Sequence, residues 1–428
     1  MEKEQIMRVL EEWNFWNRDI SKQVGRERQH TEEIERFMEE REIITISGPR
    51  RAGKSTIMYQ LIEKIAGKEG MKKTLYVNFE DPSFLPFLSV ELLEEIYDVY
   101  REKVNHSKKA YLFLDEIQNI PGWEKWVRSY YDKKENVKIV ISGSSSKLLS
   151  SEFSSLLTGR SVNFEVYPLS FREFLDFKGV RIPKKVLKES ERKIRHYLDE
   201  YLKFGGFPQV TLKKEENIKL KTLEQYFESM IMRDIVERYQ IRDVLSLKKA
   251  AVFGMTNISK EFSFNTLRKT LKISLDTAKD YATYLEQAYI LFQLPYFSYS
   301  MKEVMVRNRK LYAVDSGLRN AVSKSFTADR GRLAENIVYL HLKKNRKEIY
   351  YWKENGEVDF VIKEKTLVPI NVTYGEESPK REDKAMMEFF SEFKVKEGII
   401  VTDSEEKEKK VDGKVLSYVP LWKFLLRF

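Results

Sequence analysis

The segment GPRRAGKST, residues 48–56, combines residue types that can bind a chain of phosphates. Gly, four residues, Gly, Lys and then Ser is the spacing of a phosphate-binding loop, which Gly48, Gly53, Lys54 and Ser55 satisfy. Glycines let the backbone close around a phosphate, and the following helix adds the positive end of its dipole. We therefore predict a nucleotide site formed by Gly48, Pro49, Arg50, Arg51, Ala52, Gly53, Lys54, Ser55 and Thr56.

Two acids follow a second apolar run, AYLFLDEIQNI at residues 110–120. Lys54 is expected to reach the β and γ phosphates, and the Ser55 hydroxyl to bind Mg²⁺. Asp115 ends a predicted buried strand, where a carboxylate beside the loop can hold the same Mg²⁺ through water. Glu116 is then placed to polarise the attacking water. Together these residues predict an ATP hydrolase with Mg²⁺ as its cofactor.

Two serines at the end of a further strand and an arginine on a later turn are weaker candidates for this site. Ser142 and Ser144, in VKIVISGSSSKLL, could sense the γ phosphate, and the alternative is that they cap the next helix. Arg160, in SSLLTGRSVNFEV, could neutralise the charge that develops during hydrolysis, from this chain or from a neighbouring subunit. The alternative for Arg160 is a surface salt bridge.

Five short β-branched runs between residues 43 and 166 must position these side chains. They read IITIS, TLYVNFE, AYLFLDE, VKIVISG and SVNFEV, and they alternate with helical stretches. Such runs predict an α/β domain built on a five-stranded, mostly parallel sheet with helices on both faces. Trp13 and Trp16, in the aromatic helical segment before this domain, are predicted either to cover the adenine or to pack on the core.

The phosphate loop, the Asp-Glu strand, LTGR, YPLSFREFL and YLKFGGFPQV together resemble AAA-type ATPases of archaea and bacteria. The resemblance covers nearly the whole chain and implies a C-terminal winged-helix and restriction-endonuclease-like region of unassigned function. It implies that one strand separates the Asp-Glu strand from the central loop strand. It also implies that Arg160 completes the nucleotide site. The expected divisions are 1–40, an N-terminal segment; 41–167, the ATPase core; 168–245, a helical lid; 246–315, a winged helix; and 316–428, the nuclease-like domain.

The expected winged helix lies in FSFNTLRKTLKISLDTAKDYATYLEQAYILFQL, where a second helix begins after Ser274 and a β-rich wing follows. Basic charge comes just after that helix. Residues 301–332 hold eight cations and three acids, a local charge of +5. The cations are Lys302, Arg307, Arg309, Lys310, Arg319, Lys324, Arg330 and Arg332. This segment predicts salt-sensitive DNA binding, and the alternative is that the helices only pack domains together.

The last part of the chain resembles a nuclease that lacks part of its catalytic set. Glu335 lies on a predicted helix, Glu357 and Asp359 lie on a hairpin, and TLVPINVTYG supplies another strand. Carboxylates in this order could bind Mg²⁺. Where the fold expects an acid-x-Lys pattern, however, the chain has Asn371 and Thr373. We therefore expect the fold with little cleavage activity, and Glu335 and Asp359 either hold a cation weakly or form structural ion pairs.

Composition limits the remaining classes of function. The 428 residues contain no Cys, which excludes disulfides and thiolate chemistry, and their net charge of +10 favours polyanionic partners. The charged residues, 33% of the chain, suit a thermophile. The charged N-terminus and the lack of a long apolar run predict a soluble, cytoplasmic protein that does not enter a membrane.

Three functions remain open at this stage. The first is an ATPase that controls DNA binding or remodelling, acting either as a single chain or as a homo-oligomer. The second is an ATP-driven switch that recruits a protein partner. The third is an ATP-regulated nuclease, which Asn371 and Thr373 disfavour.

Overall fold

A computed structural model describes residues 1–133, 136–144, 157–183, 188–323, 329–345, 347–375 and 379–427. The chain divides into two compact units, Met1–Val166 and Tyr167–Phe428. The first unit contains the segment before residue 41 as well as the expected ATPase core.

The first unit is built on a five-stranded sheet of order β2-β3-β4-β1-β5, in which every neighbouring pair is parallel. Its strands are β1 (Ile43–Ser47), β2 (Thr74–Asn78), β3 (Ala110–Asp115), β4 (Val137–Gly143) and β5 (Ser161–Glu165). Strands β1 and β3 are buried at every residue, which explains their unbroken apolar runs. The prediction of five strands is confirmed, and one strand, β4, separates β3 from β1 as the resemblance implied.

Helices cover this sheet and are joined by short 3-10 turns. They are α1 (Lys3–Trp13), α2 (Ser21–Val24), α3 (Gln29–Glu35), α4 (Lys54–Glu69), α5 (Val90–Lys103) and α6 (Trp123–Asp132). Helix α4 follows the phosphate loop directly, with Gly53 as its N-cap residue. Helix α1 packs against α5 and β2, while α2 and α3 pack against α4.

The second unit begins with helices. They are α7 (Phe171–Phe177), α8 (Lys188–Phe204), α9 (Pro208–Leu212), α10 (Glu216–Ser229) and α11 (Val244–Thr256), with a π-helical stretch at Met230–Glu237. Ser170 and Glu173 form the capping box that starts α7: the Ser170 hydroxyl accepts from the Glu173 amide at 3.2 Å, and Glu173 accepts from the Ser170 amide at 2.9 Å.

A helix pair and a small sheet come next. The elements are β6 (Glu261–Phe262), α12 (Phe264–Leu271), α13 (Leu275–Gln287), β7 (Leu291–Leu294), α14 (Met301–Val306) and β8 (Arg309–Ala313). The three strands are antiparallel, in the order β6-β8-β7. Ser274 caps α13 by accepting from the Thr277 amide at 3.0 Å, so the helix begins where the sequence predicted. The short helix α14 separates β7 from β8 and was not predicted.

The unit ends in a mixed six-stranded sheet of order β13-β14-β12-β11-β10-β9. The remaining helices and strands of the unit are α15 (Ser316–Ser323), α16 (Arg330–Lys344), β9 (Ile349–Lys353), β10 (Glu357–Lys363), β11 (Leu367–Thr373), α17 (Pro379–Phe393), β12 (Glu397–Thr402), β13 (Lys407–Val411), β14 (Lys414–Pro420) and α18 (Leu421–Arg427). Strands β9, β10 and β11 are antiparallel neighbours, and β12 runs parallel to β11. None of the helices that the structure describes is both long and apolar enough to cross a bilayer.

Candidate functional site

The phosphate loop leaves the carboxyl end of β1 and turns into α4. Gly48 has φ of +144° and Gly53 has φ of +100°, values that favour glycine. A Cβ at position 48 would lie 2.0 Å from the carbonyl oxygen of Val166, so a side chain there would collide with the backbone. Pro49, Arg50, Arg51, Ala52 and Thr56 complete the predicted loop, and Arg50 forms an ion pair with Glu80 at 2.8 Å.

Lys54 lies inside the loop with its side chain almost fully buried. Its ammonium donates to the carbonyl oxygens of Gly48 at 3.1 Å and Pro49 at 3.2 Å. It also lies 3.8 Å from the Glu116 carboxylate. A buried ammonium among loop carbonyls is well placed to exchange them for phosphate oxygens.

Ser55 and Asp115 meet although 60 residues separate them in the chain. The Ser55 hydroxyl donates to Asp115 Oδ2 at 2.5 Å, because α4 begins beside the end of β3. Burial, and next the charge of Glu116, raise the pKa of Asp115. A bound cation would reverse that effect. The two oxygen donors fit Mg²⁺.

Glu116 follows Asp115 in a left-handed backbone conformation with φ of +53°. Its carboxylate accepts a hydrogen bond from the Gln118 side-chain amide at 2.5 Å. The residue is buried, with 8% of its surface exposed. Gln118 therefore fixes one oxygen of the predicted water-orienting carboxylate, a contact that no sequence motif indicated.

Ser142 and Ser144 lie at the end of β4 and both are buried. Ser142 donates its hydroxyl to Asp115 Oδ1 and accepts from the Glu116 amide at 3.4 Å. Ser142 thus contacts both acids. These contacts bring Ser142 to both predicted acids, whereas the helix-cap alternative concerns residues outside the described ranges.

The structure places Arg160 away from the phosphate loop of its own chain. Arg160 immediately precedes β5, whose first residue, Ser161, pairs with Ile43 at the start of β1. Because the strands are parallel, Arg160 lies at the amino end of β1 and the phosphate loop lies at its carboxyl end. Its guanidinium forms an ion pair with Asp132 at 3.0 Å, the surface alternative considered above.

The segment before residue 41 contributes contacts that the sequence did not reveal. Trp16 donates to the Thr74 carbonyl at 2.8 Å and stacks on Tyr100, so it packs on the core. Trp13 donates to Asp81 at 2.7 Å. Arg28, which is 2% exposed, donates to the carbonyl of the loop residue Ala52 at 2.5 Å.

A second cluster of charges lies in the second unit, where the nuclease-like carboxylates were predicted. Lys310 from β8 is 1% exposed and its ammonium contacts three carboxylates. The distances are 2.6 Å to Glu357, 3.0 Å to Asp359 and 3.2 Å to Glu335. Burial alone would lower the pKa of Lys310, but the three acids raise it well above its ordinary value. Glu335 and Asp359 therefore form structural ion pairs, one of the two predicted alternatives.

Asn371, at the position expected for an acid, is fully buried and bonds to the backbone of β10. Its side-chain oxygen accepts from the Asp359 amide at 2.9 Å, and its amide donates to the Glu357 carbonyl at 3.0 Å. It also donates to the Glu382 carboxylate. Thr373, two residues further along β11, is 5% exposed. Neither residue supplies a charge to the cluster.

Most of the cations that the structure describes between residues 301 and 332 are paired with acids. Lys310 and Arg319 are buried in ion pairs inside the unit. Three more arginines form ion pairs: Arg307 with Glu354, Arg330 with Asp199 and Arg332 with Asp329. Arg309 lies 3.5 Å from Gln293 and Lys302 is exposed, while Lys324 lies outside the described residues. The local net charge concealed this pairing, because most of these partners lie far away in the sequence.

Comparison with known proteins assigns this architecture to a family. A family model described as an AAA domain matches residues 40–175, and models described as domains of unknown function, DUF8612 and DUF4143, match residues 195–329 and 330–424. Two similar proteins are uncharacterized. Protein MJ1544 of Methanocaldococcus jannaschii is 35% identical over 90% of this chain and 88% of its own length. A Haemophilus influenzae protein is 29% identical over 94% of this chain and 99% of its own length.

Among solved structures, the Aeropyrum pernix ORC1 protein in complex with DNA matches at 12% identity and a TM-score of 0.31, over 70% of this chain and 92% of that chain. AMPPCP-bound DnaA from Aquifex aeolicus matches at 14% identity and a TM-score of 0.28, over 60% and 86% respectively. The chain belongs to the same family as MJ1544, and its first unit contains an AAA domain of the P-loop ATPase class.

Proposed function

We propose that this protein is an Mg²⁺-dependent ATPase whose nucleotide state controls DNA binding or remodelling by its C-terminal half. The observation that carries the ATPase assignment is the 2.5 Å approach of Ser55 Oγ to Asp115 Oδ2 beside the phosphate loop. Two hard oxygen donors from separate elements converge there, at the start of a helix and next to a buried lysine.

Each residue of the site has a distinct role in this proposal. Lys54 and the loop amides bind the phosphates, while Ser55 and Asp115 hold the metal. When bound, Mg-ATP supplies the γ-phosphoryl group and a cation that offsets its charge. Glu116 orients the attacking water, with Gln118 fixing one of its oxygens. Ser142, or Ser144 two residues on, senses the state of the site.

Arg160 acts in this proposal from a neighbouring copy of the chain. It lies 29% exposed at the surface of its own unit, where Asp132 holds it. An arginine supplied in this way can accelerate hydrolysis by orders of magnitude. Mixing two inactive variants, Lys54→Ala and Arg160→Ala, is expected to restore activity because each supplies what the other lacks.

Arg128→Ala is the matched control for Arg160→Ala, because Arg128 also pairs with Asp132 and is partly exposed. That variant is expected to remain active. If the mixture stays inactive, or if specific activity is flat over a wide dilution range, the role in trans is ruled out.

The proposal for the C-terminal half rests on the order of its elements. Helices α11, α12 and α13 with the β6-β8-β7 sheet support a winged helix, in which α13 is the candidate recognition helix. The exposed Lys279 of α13 lies 3.7 Å from Asp276, which limits its use for phosphate contacts. We retain residues 168–245 as a helical lid and 246–315 as the winged-helix domain.

The order α16, β9, β10, β11, α17, β12 supports a restriction-endonuclease-like domain over residues 316–428. We propose that this domain is catalytically inactive, since Lys310 fills the carboxylate cluster and Asn371 bonds to the backbone. A cleavage assay with Mn²⁺ tests this: no cutting is expected, and cutting that Asp359→Ala abolishes would contradict it.

A protein partner is the second candidate for what the ATPase controls. Four apolar side chains on or beside α14 are strongly exposed, Tyr299 at 75%, Met301 at 72%, Met305 at 76% and Val306 at 77%. Exposed apolar residues grouped in one short segment are typical of interaction surfaces. This observation favours a switch that recruits a protein.

Steady-state ATP hydrolysis separates the two candidates. The assay compares no DNA with single-stranded, duplex and branched DNA, and uses Lys54→Ala as the blank. Several-fold stimulation by one form of DNA is the expected result. Turnover that depends on Lys54 but ignores every DNA would support the protein switch instead, and no Lys54-dependent turnover at all would contradict the ATPase assignment.

A further inference from the structure

Three hydroxyl groups hold the Asp115 carboxylate, and only two of them come from residues that the motifs identify. Ser55 donates to Oδ2 at 2.5 Å and Ser142 donates to Oδ1. The third is Tyr76, whose hydroxyl donates to Oδ2 at 2.6 Å. Both carboxylate oxygens are therefore fixed by donors on elements around the end of β3.

Tyr76 is held rigidly where it makes this contact. It lies on β2, directly beside β3, and is 1% exposed. Its ring packs against Tyr59 at 4.7 Å and against Trp13 at 6.1 Å between ring centroids. A buried phenol whose hydroxyl is aimed at a carboxylate positions that carboxylate more precisely than a mobile surface group would.

The backbone of Tyr76 is fixed in turn by Asn14, from the segment before the AAA domain. The Asn14 amide donates to the Tyr76 carbonyl at 2.9 Å, and its oxygen accepts from the Tyr76 amide at 2.8 Å. Asn14 also donates to the Leu10 carbonyl at 2.8 Å, which ties it to α1. A continuous path of short contacts therefore runs from α1 through Asn14 and Tyr76 to Asp115.

We propose that Tyr76 is a positioning residue that sets the orientation of the metal-binding carboxylate, and that Asn14 links this function to the N-terminal helix. The inference rests on the proposed ATPase function. A tyrosine hydroxyl can donate to Asp115 and leave the other lone pairs of the carboxylate for a metal or its water.

The test is a titration of ATPase activity with Mg²⁺ at saturating ATP, on the full-length chain. Tyr76→Phe removes only the hydroxyl and is expected to raise the Mg²⁺ concentration at half-maximal activity roughly fivefold or more, since it deletes a hydrogen bond to a charged group. Binding of a fluorescent ATP analogue in EDTA should be unchanged, because the phosphate loop is intact.

Tyr100→Phe is the matched control. Tyr100 is equally buried in the same unit, but its hydroxyl donates to the Lys72 carbonyl and does not contact Asp115. This variant should keep the wild-type Mg²⁺ midpoint, so a shift in both variants would point to general loss of packing and overturn the inference.

Asn14→Ala tests the second half of the inference and also serves if Tyr76→Phe does not fold. It should shift the Mg²⁺ midpoint in the same direction, with unchanged analogue binding in EDTA. A folded Tyr76→Phe with the wild-type midpoint overturns the positioning role, and a folded Asn14→Ala with that midpoint overturns the link. A wild-type chain that hydrolyses no ATP at any Mg²⁺ concentration would instead refute the proposed function itself.

Discussion

Replacing Lys310 by Met should strongly destabilise the second unit at neutral pH. The substitution keeps most of the side-chain volume but removes an ammonium that lies 2.6–3.2 Å from three carboxylates. Their side chains are only 13%, 26% and 14% exposed, so water cannot replace the lost partner well. Removing one partner of a buried ion pair typically costs about 3–5 kcal/mol, and we expect a loss in that range in the free energy of unfolding.

The loss should depend on pH in a defined direction. Burial alone would raise the pKa of Glu357, but Lys310 and then Lys353 hold it below its ordinary value. This contribution to wild-type stability is present at pH values above the unfolded pKa and is lost as the pH falls. Without Lys310 the carboxylates repel one another and bind protons more readily. The deficit of the variant should therefore be largest near pH 7 and smaller at pH 5.

Urea unfolding at both pH values, followed by tryptophan fluorescence and by circular dichroism, measures this difference. Lys279→Met is the matched control, because Lys279 is 51% exposed and its pairing with Asp276 is worth at most about 1 kcal/mol. A Lys310→Met variant within about 1 kcal/mol of wild type at pH 7 would refute the buried, charge-compensating role. A deficit that grows as the pH falls would refute the electrostatic explanation.

Two further predictions concern packing and protonation in the same unit. Gly317→Ala should lower the free energy of unfolding by about 1–3 kcal/mol, since the new Cβ would lie 2.0 Å from the Phe204 carbonyl oxygen. Gly331→Ala is the control and should change thermal stability little, because its Cβ would lie 3.5 Å from the Tyr374 carbonyl oxygen, an ordinary contact distance. Burial, followed by the charges of Lys344 and Arg172, lowers the pKa of His341 to about 4. Protonation of His341 should thus contribute about 3 kcal/mol to the stability that the wild type loses between pH 6.5 and 4, and urea unfolding should show a loss smaller by about that amount in His341→Asn.

Local sequence patterns predicted most of the strands and the phosphate loop of the first unit. Strands buried on both faces have unbroken apolar runs, and the phosphate loop has a fixed residue spacing. For these reasons the sequence alone predicted that Lys54, Ser55 and Asp115 lie in one site. The motif around Arg160 carries no information about which end of the sheet this residue occupies. Parallel pairing of β5 with β1 decides that, and pairing is a long-range property.

The contacts that escaped prediction have no local pattern. Asn14 and Tyr76 are 62 residues apart, and Lys310 lies 47 residues before Glu357 in a different sheet. The net charge of residues 301–332 counted Lys310 as if it were a surface cation. In the structure Lys310 is buried beside three acids and is part of the core. Such pairings depend on tertiary packing, which outweighs the local composition.

The contacts of Asn14 and Trp16 have a consequence for the solubility of the AAA domain. In the sheet order β2 is an outer strand, and these two side chains bond to its Thr74 carbonyl and to its Tyr76 amide and carbonyl. An outer strand with unpaired backbone groups is a template for aggregation. A fragment cut at residue 40, where the match to the AAA domain begins, would expose that edge. The smallest fragment that remains monodisperse should therefore retain α1 and Trp16.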